Sequence, residues 1–459
     1  NYQNNIASAL LNLEKYDTAK TLYLQLLSTD LYKNEVTQNL GLIDLSLGDP
    51  ASAIRWFKKA DTTDRNTIFL YNKIARAFLE LKKRDSAARY LEMASLENQK
   101  RNGKTKNVAH GLTFFYKAEL ALSENQLRDA IHLFQQSVIQ FHNDFSDSSS
   151  YRNPESFNGV FSYIQLFNAL SEKAEALSLL YRQQKEIPVL ESALDAYQSA
   201  FRLASYVERT YDSDEARLFL GKIKHHVHSK PIDISILLYE LTGKINYLEQ
   251  AYHFDQLNKA SILALNIQEN ELRKTNGRNS ELLEKESLIK RNITRLSLNA
   301  ARLTDSNTLK TVVATIRDHE IELGKLQEKI NEQTDWNIRD AGLQIPGVSQ
   351  LQRKLDNNSA LLSYHLSDHE LLVLLISNRK FEYYKTEIDP VFFERLEHFK
   401  RILHSGSADE RYEGGQAAQA LYQVLIKPVY ASLKQYSRLV IIPDDELNYL
   451  PFEALQDEN

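Results

Sequence analysis

"NLGLIDLSLGDPASAIRWFKKA", residues Asn39 to Ala60, holds two apolar-rich runs separated by Leu47-Gly48-Asp49-Pro50. Glycine ends helices because it tolerates a left-handed backbone, and proline opens them because its fixed φ suits the first turn. The stretch therefore reads as a helix, a tight turn and a second helix. Shifts of 34 residues in either direction recover the same chemistry: Ala19, Ala53 and Ala87 lie in one column. Ala7, Gly41 and Ala75 form a second, Tyr23, Phe57 and Leu91 a third, and Leu26, Ala60 and Ala94 a fourth. Small columns let paired helices approach closely, while large ones fill the space between successive units. Four columns in one register define a repeated helix–turn–helix unit.

These residues resemble the tetratricopeptide repeat (TPR) family, with matches at Leu40, Gly41, Gly48, Ala53, Phe57 and Ala60. Where the family often has proline at the end of a unit, this chain has Leu31, Arg65 and Gln99. A fourth unit carries Ala118, Ala130 and Phe134, displaced by nine residues assigned to the "QKRNGKTKN" loop around Asn102-Gly103. Beyond the Ser-rich break at Ser146 to Asn153 the pattern loosens. "ESALDAYQSAFRLA" (Glu191 to Ala204) and "INYLEQAYHFDQLNKASIL" (Ile245 to Leu263) read as second helices of two longer, divergent units. The expected organisation is four units over 1–143 and two more over 144–272.

Composition narrows the function classes. A net charge of −5 over 459 residues gives no electrostatic case for nucleic acid or anionic lipid. No apolar run approaches the roughly 18 residues a membrane-spanning helix needs. The chain has no cysteine, which excludes disulfides, thiolate metal sites and thiol catalysis within these residues. Asn1 precedes a residue already in a helical pattern, so the chain reads as a fragment at its N-terminus. Its compartment is not fixed by the sequence, with the cytoplasm slightly favoured.

After "RKTNGRNSE" (Arg273 to Glu281) the period changes. Leu282, Ile289, Leu296 and Leu303 are spaced by seven, with Ile293 and Ala300 completing a seam. "TDSNT" (Thr304 to Thr308) is a turn, and Ile316, Leu323 and Ile330 carry a second such series. This predicts an antiparallel helical hairpin over 273–341, acting as a spacer. From 342 the chain switches to short segments: "SALLSYHL" (Ser359 to Leu366), "LLVLLIS" (Leu371 to Ser377) and "FEYYKTEI" (Phe381 to Ile388). They predict a three-stranded antiparallel meander. Helical patterns over Pro390 to His404 and Glu413 to Tyr436 follow, then the buried-strand pattern Leu439 to Ile442. Strands alternating with helices imply a separate α/β domain.

The last hundred residues resemble the N-terminal half of a CHAT domain, a caspase-like module common after TPR arrays. The matching features are Leu421-Tyr422, the Lys427-Pro428 break, and Val440 to Leu455 with Pro443, Asp444, Pro451, Phe452, Glu453 and Leu455. "AYHFDQLNKASILALN" (Ala251 to Asn266) resembles the helix linking repeats to that module. The resemblance implies a caspase-like cysteine endopeptidase whose His and Cys lie C-terminal to this signature. No residue here inherits those roles, and the last strand is expected to leave an incomplete edge. The expected fold is mainly α: a right-handed TPR-like solenoid, a helical hairpin spacer, and the N-terminal part of a caspase-like α/β domain over 342–459.

No metal site or cofactor is expected. His365 and His369 flank a hairpin turn, and His225, His226 and His228 lack a nearby carboxylate in sequence, so both groups read as surface or structural. "DDE" (Asp444 to Glu446) reads as a solvated turn. Resemblance to TPR grooves yields peptide-binding candidates: Asn4, Ser8 and Asn12; Gln38 and Ser46; Asn72, Arg76 and Glu80; Phe115 and Glu119. Asn4, Gln38 and Asn72 are again 34 apart, and repeated amides can both donate to and accept from an extended peptide. The same positions also suit a solvent-tolerant inner helix face. Two functions stay open: the partner-binding, regulatory part of a TPR-gated cysteine peptidase, or a non-catalytic interaction scaffold with a degenerate CHAT module.

Overall fold

The structure is a computed structural model that describes residues 2–28, 32–63, 66–211, 221, 223, 227–259, 280–301, 303, 306–332, 345–405 and 414–457. Leu31, Arg65, His225, His226, most of the 273–281 loop, part of the 304–308 turn, residues 260–266 and the boundary at 342 lie outside the described residues. The chain divides into two compact units, Asn1–Lys224 with Glu271–Trp336, and His225–Asn270 with Asn337–Asn459.

The first unit opens with eight helices in antiparallel pairs: α1 (Tyr2–Asn12), α2 (Tyr16–Leu27), α3 (Lys33–Ser46), α4 (Pro50–Phe57), α5 (Thr67–Glu80), α6 (Arg84–Asn102), α7 (Val108–Ser123) and α8 (Leu127–Phe141). All twelve residues of the four columns are buried, as are Ala118, Ala130 and Phe134 of the fourth unit. Gly41 explains why its column must be small. A Cβ there would lie 2.6 Å from Phe57 Cδ1, and Phe57 has no exposed surface into which to retreat. Between α3 and α4, Gly48 takes φ +78°, the Asp49 carboxylate accepts from Ser52 N at 2.9 Å, and Pro50 starts the helix. The same left-handed residue recurs at Glu14, Lys82 and Asn125, at φ 59°, 56° and 58°. Of the nine residues expected to form a loop, Gln99 to Asn102 instead belong to α6, which runs to 19 residues and ends at Gly103, φ +56°.

Two longer helices follow, α9 (Tyr163–Gln184) and α10 (Ile187–Thr210). The predicted hairpin forms from helices Ser280–Ala300 and Ser306–Glu332, with Gln327 Nε2 donating to Glu286 Oε1 at 2.9 Å and Lys285 paired with Glu322 at 3.1 Å. Ile289, Ile293 and Ala300 are buried, as are Ile316, Leu323 and Ile330. The hairpin belongs to the array's own unit. Tyr211 Oη, just after α10, donates to Ser297 Oγ at 2.9 Å, and Tyr206 Oη of α10 donates to Glu320 Oε1 at 2.8 Å.

The second unit is built around a four-stranded sheet, β1 (Ser359–Leu366), β2 (Glu370–Ser377), β3 (Phe381–Glu387) and β4 (Arg438–Ile442), in the order β3-β2-β1-β4. The first three are the predicted antiparallel meander, and β4 pairs parallel to β1, Leu362 opposite Ile441. Alternation puts Ala360, Leu362, Tyr364 and Leu366 on one face of β1, in a core with Phe392, Phe399 and Leu421 from helices Pro390–Ser405 and Gly415–Leu425. Leu361, Ser363 and His365 take the other face and are also buried. That face meets the helical pair Ser229–Thr242 and Ile245–Asn258, which sequence placed with the repeats. Ile245 to Leu263 thus begins as a helix of the sheet unit, since its polar face finds partners on β1. On β4, at the sheet edge, Leu439 and Val440 are each 39% exposed.

Candidate functional site

The array's three amides in register make an internal ladder. Asn4 Nδ2 of α1 donates to Glu35 Oε1 of α3 at 3.1 Å, and Lys73 Nζ of α5 donates to Gln38 Oε1 of α3 at 2.9 Å. Asn72 Nδ2 of α5 donates to Ala109 O of α7 at 2.8 Å while its Oδ1 accepts from Thr113 at 3.0 Å. Each amide joins one unit's first helix to the next unit's first helix, and all three are buried. Buried amides need such partners, so this polarity serves the stacking of repeats.

The remaining candidates divide by exposure. Asn12, Ser46, Arg76 and Glu80 are exposed, with Arg76 paired to Glu80 at 3.4 Å. Ser8 is half-buried, bonded to Tyr23 Oη at 2.9 Å, and Phe115 is buried edge-on against Phe134. Half-buried Glu119 has its carboxyl pushed up to about 7 by burial and by the neighbouring Glu172, against the opposing pull of Arg76.

A cavity of about 590 Å³ opens beside the N-terminal turns of α3 and α5, lined by Tyr32, Lys33, Glu35, Gln38, Asn39, Phe69 and Lys73, with Ala301 from the end of the hairpin's first helix. Burial pushes the Lys73 ammonium down to about 8. The family pattern did not single out Lys73. Its signal in the sequence is adjacency to Asn72, and its position depends on how α3 and α5 stack.

The sheet unit holds a polar node that sequence did not foresee. Asp255, 1% exposed, accepts through Oδ2 from Ser363 Oγ and Lys259 Nζ, both at 2.7 Å. His365 Nδ1 lies 3.7 Å from Asp255 Oδ1 and 3.2 Å from Asp444 Oδ2. Neither His365 Nδ1 nor Asp255 Oδ1 has a hydrogen-bond partner, although both are buried. The other ring nitrogen, Nε2, is 3.1 Å from Ser229 Oγ, and the His228 ring stands edge-on at 5.0 Å. Asp444 Oδ2 accepts from Leu366 N at 3.0 Å, capping β1. Burial alone would raise the Asp444 carboxyl, but the His365 ring, the Lys259 ammonium and the Leu366 N–H outweigh it and hold it down to about 2.

Of the CHAT-signature residues, Asp444 belongs to this node, whereas Phe452 lies on the opposite face of β1. Asp444 is turned inward, whereas the predicted solvated turn is confined to Asp445, which is exposed at φ 43°; Glu446 is paired with Lys400. Half-buried Phe452 packs on Tyr364 with ring centroids 5.2 Å apart. Pro443 and Pro451 are half-buried on either side of the short 3-10 turn Asp445–Tyr449, and Glu453 is exposed.

Comparison with known families agrees with both halves of this picture. A tetratricopeptide repeat model matches residues 1–31, and a CHAT domain model matches residues 415–459. A repeat match at the start of the chain and a CHAT match near its end fit a TPR–CHAT architecture. The CHAT match covers helix Gly415–Leu425, β4 and the Asp444 turn, while the TPR match covers α1 and α2. A search of curated proteins finds no match. No helix among the described residues is long and apolar enough to cross a membrane.

Proposed function

We propose that the TPR array is the receptor for an extended peptide segment bearing an acidic side chain, and that this binding regulates the CHAT module. In this reading the chain is the partner-binding part of a TPR-gated, caspase-like cysteine peptidase. The 459 residues contain no cysteine, so no thiol chemistry is assigned to them.

The observation that carries the reading is the cavity beside α3 and α5. Two lysines, Lys33 and Lys73, line it, whereas Glu35, its acidic residue, is engaged by Asn4. Phe69 and Tyr32 add apolar surface for a neighbouring side chain. An ammonium held by one amide oxygen in a partly desolvated pocket gains from a carboxylate guest, because charge-assisted bonds strengthen as water is excluded.

The test is fluorescence anisotropy with a panel of labelled, extended peptides carrying Asp or Glu. Binding by acidic members is expected, weakened at least tenfold in Lys73→Met. A panel that does not bind, or a Lys73→Met protein that binds as the wild type does, overturns the assignment.

A further inference from the structure

We propose that His228, His365 and Asp444 form a binding site for a divalent transition-metal ion of the zinc class, with Asp255 Oδ1 as the nearest further donor. The three residues come from the entry of helix Ser229–Thr242, from β1 and from the turn after β4, and each offers a ligand atom within 4.8 Å of the others.

Four observations carry this. First, His365 Nδ1 and Asp255 Oδ1 are buried, unpartnered and 3.7 Å apart, with Asp444 Oδ2 3.2 Å from the same nitrogen. In the tautomer with Nδ1 unprotonated, its lone pair faces two carboxylates, an arrangement that is repulsive unless a cation lies between them. Second, Ser229 Oγ at 3.1 Å can hold the Nε2–H of His365, leaving Nδ1 bare, which is the outer-shell arrangement that fixes the tautomer of a metal-bound histidine. Third, the imidazoles of His228 and His365 are edge-on with centroids 5.0 Å apart. Two imidazoles on one tetrahedral zinc, with Zn–N near 2 Å, place their centroids about 5.2 Å apart. Fourth, two carboxylates against the single ammonium of Lys259 leave the node one negative charge in excess, which a dication with neutral histidines can offset.

Imidazole with carboxylate selects zinc and its neighbours over calcium or magnesium. Tetrahedral ligand atoms sit about 3.4 Å apart at these bond lengths, so the widest pair must draw in from 4.8 Å. His228, half-buried at a helix entry, is the ligand best placed to turn inward. An ion there would fasten the helical pair to the sheet and to the CHAT turn.

The test uses the full chain, stripped with chelator and titrated with Co²⁺ and Zn²⁺. One Co²⁺ per chain with tetrahedral d–d absorption, displaced by Zn²⁺, is expected, together with a rise in the thermal midpoint on adding Zn²⁺. His228→Ala, at a position that does not fill the core, is expected to weaken Co²⁺ binding at least tenfold with the circular dichroism spectrum unchanged. His365→Gln is expected to abolish it. No stoichiometric metal in the folded protein, or stoichiometric metal that survives His228→Ala, overturns the proposal.

Discussion

The repeat array and the sheet unit bury polar groups in opposite ways. In the array, the Asn4, Gln38 and Asn72 amides each reach the next unit along the chain, and the pattern repeats every 34 residues. In the sheet unit, Asp255 bonds Ser363 across 108 residues, and β4 returns to pair with β1 after two strands and three helices. One region is held by neighbours and the other by returns. Stability in the array should behave as a sum of adjacent terms, whereas the sheet should fail as a whole.

The largest effect is expected at Tyr364, which has no exposed surface and donates through Oη to Leu425 O at 3.0 Å. Tyr364→Ala should cost about 4 kcal/mol, read by denaturant unfolding, with amide protection lost over β1, β2 and β4 together. Loss confined to β1 would break the contrast. Next comes Gly41→Leu, which drives a side chain into the Phe57 ring and should cost about 3 kcal/mol. Its loss of amide protection should centre on α1 to α4, and an equal loss across α7 and α8 would argue against nearest-neighbour coupling. The smallest is a gain. Lys82 is exposed at φ 56°, where the equivalent turn of the preceding unit has Gly48 at φ 78°. Lys82→Gly should therefore stabilise the array by about 1 kcal/mol, seen as a higher unfolding midpoint.

The same contrast decides what sequence could reveal. Column residues such as Ala19, Ala53 and Ala87 announce the array because a repeat writes its three-dimensional contacts as a period. Pro50 and the Lys427-Pro428 break marked local boundaries, and the alternation of Ser359 to Ile388 marked the meander. The ladder's role was not legible: Asn4, Gln38 and Asn72 share a period, but their partners Glu35, Lys73 and Ala109 emerge from the stacking angle. The node was further from reach, since His228, Asp255, His365 and Asp444 have no common spacing. One clue was present. Ser363 and His365 alternate with Leu362, Tyr364 and Leu366, so a strand covered on both faces had to supply polar groups to one of them. The helical pair before the hairpin looked repeat-like because helix periodicity records an apolar stripe but not which unit will cover it.

The array's role as a receptor is tested most directly by the pH dependence of acidic-peptide binding. Lys73 is held at about 8, so its positive charge is present at pH 7 and largely gone at pH 9. Wild-type affinity is expected to fall by about tenfold between those values as the ammonium loses its proton, while Lys73→Met binds weakly and without that slope. An affinity that stays constant over this range in the wild type, or falls equally in Lys73→Met, would contradict the account.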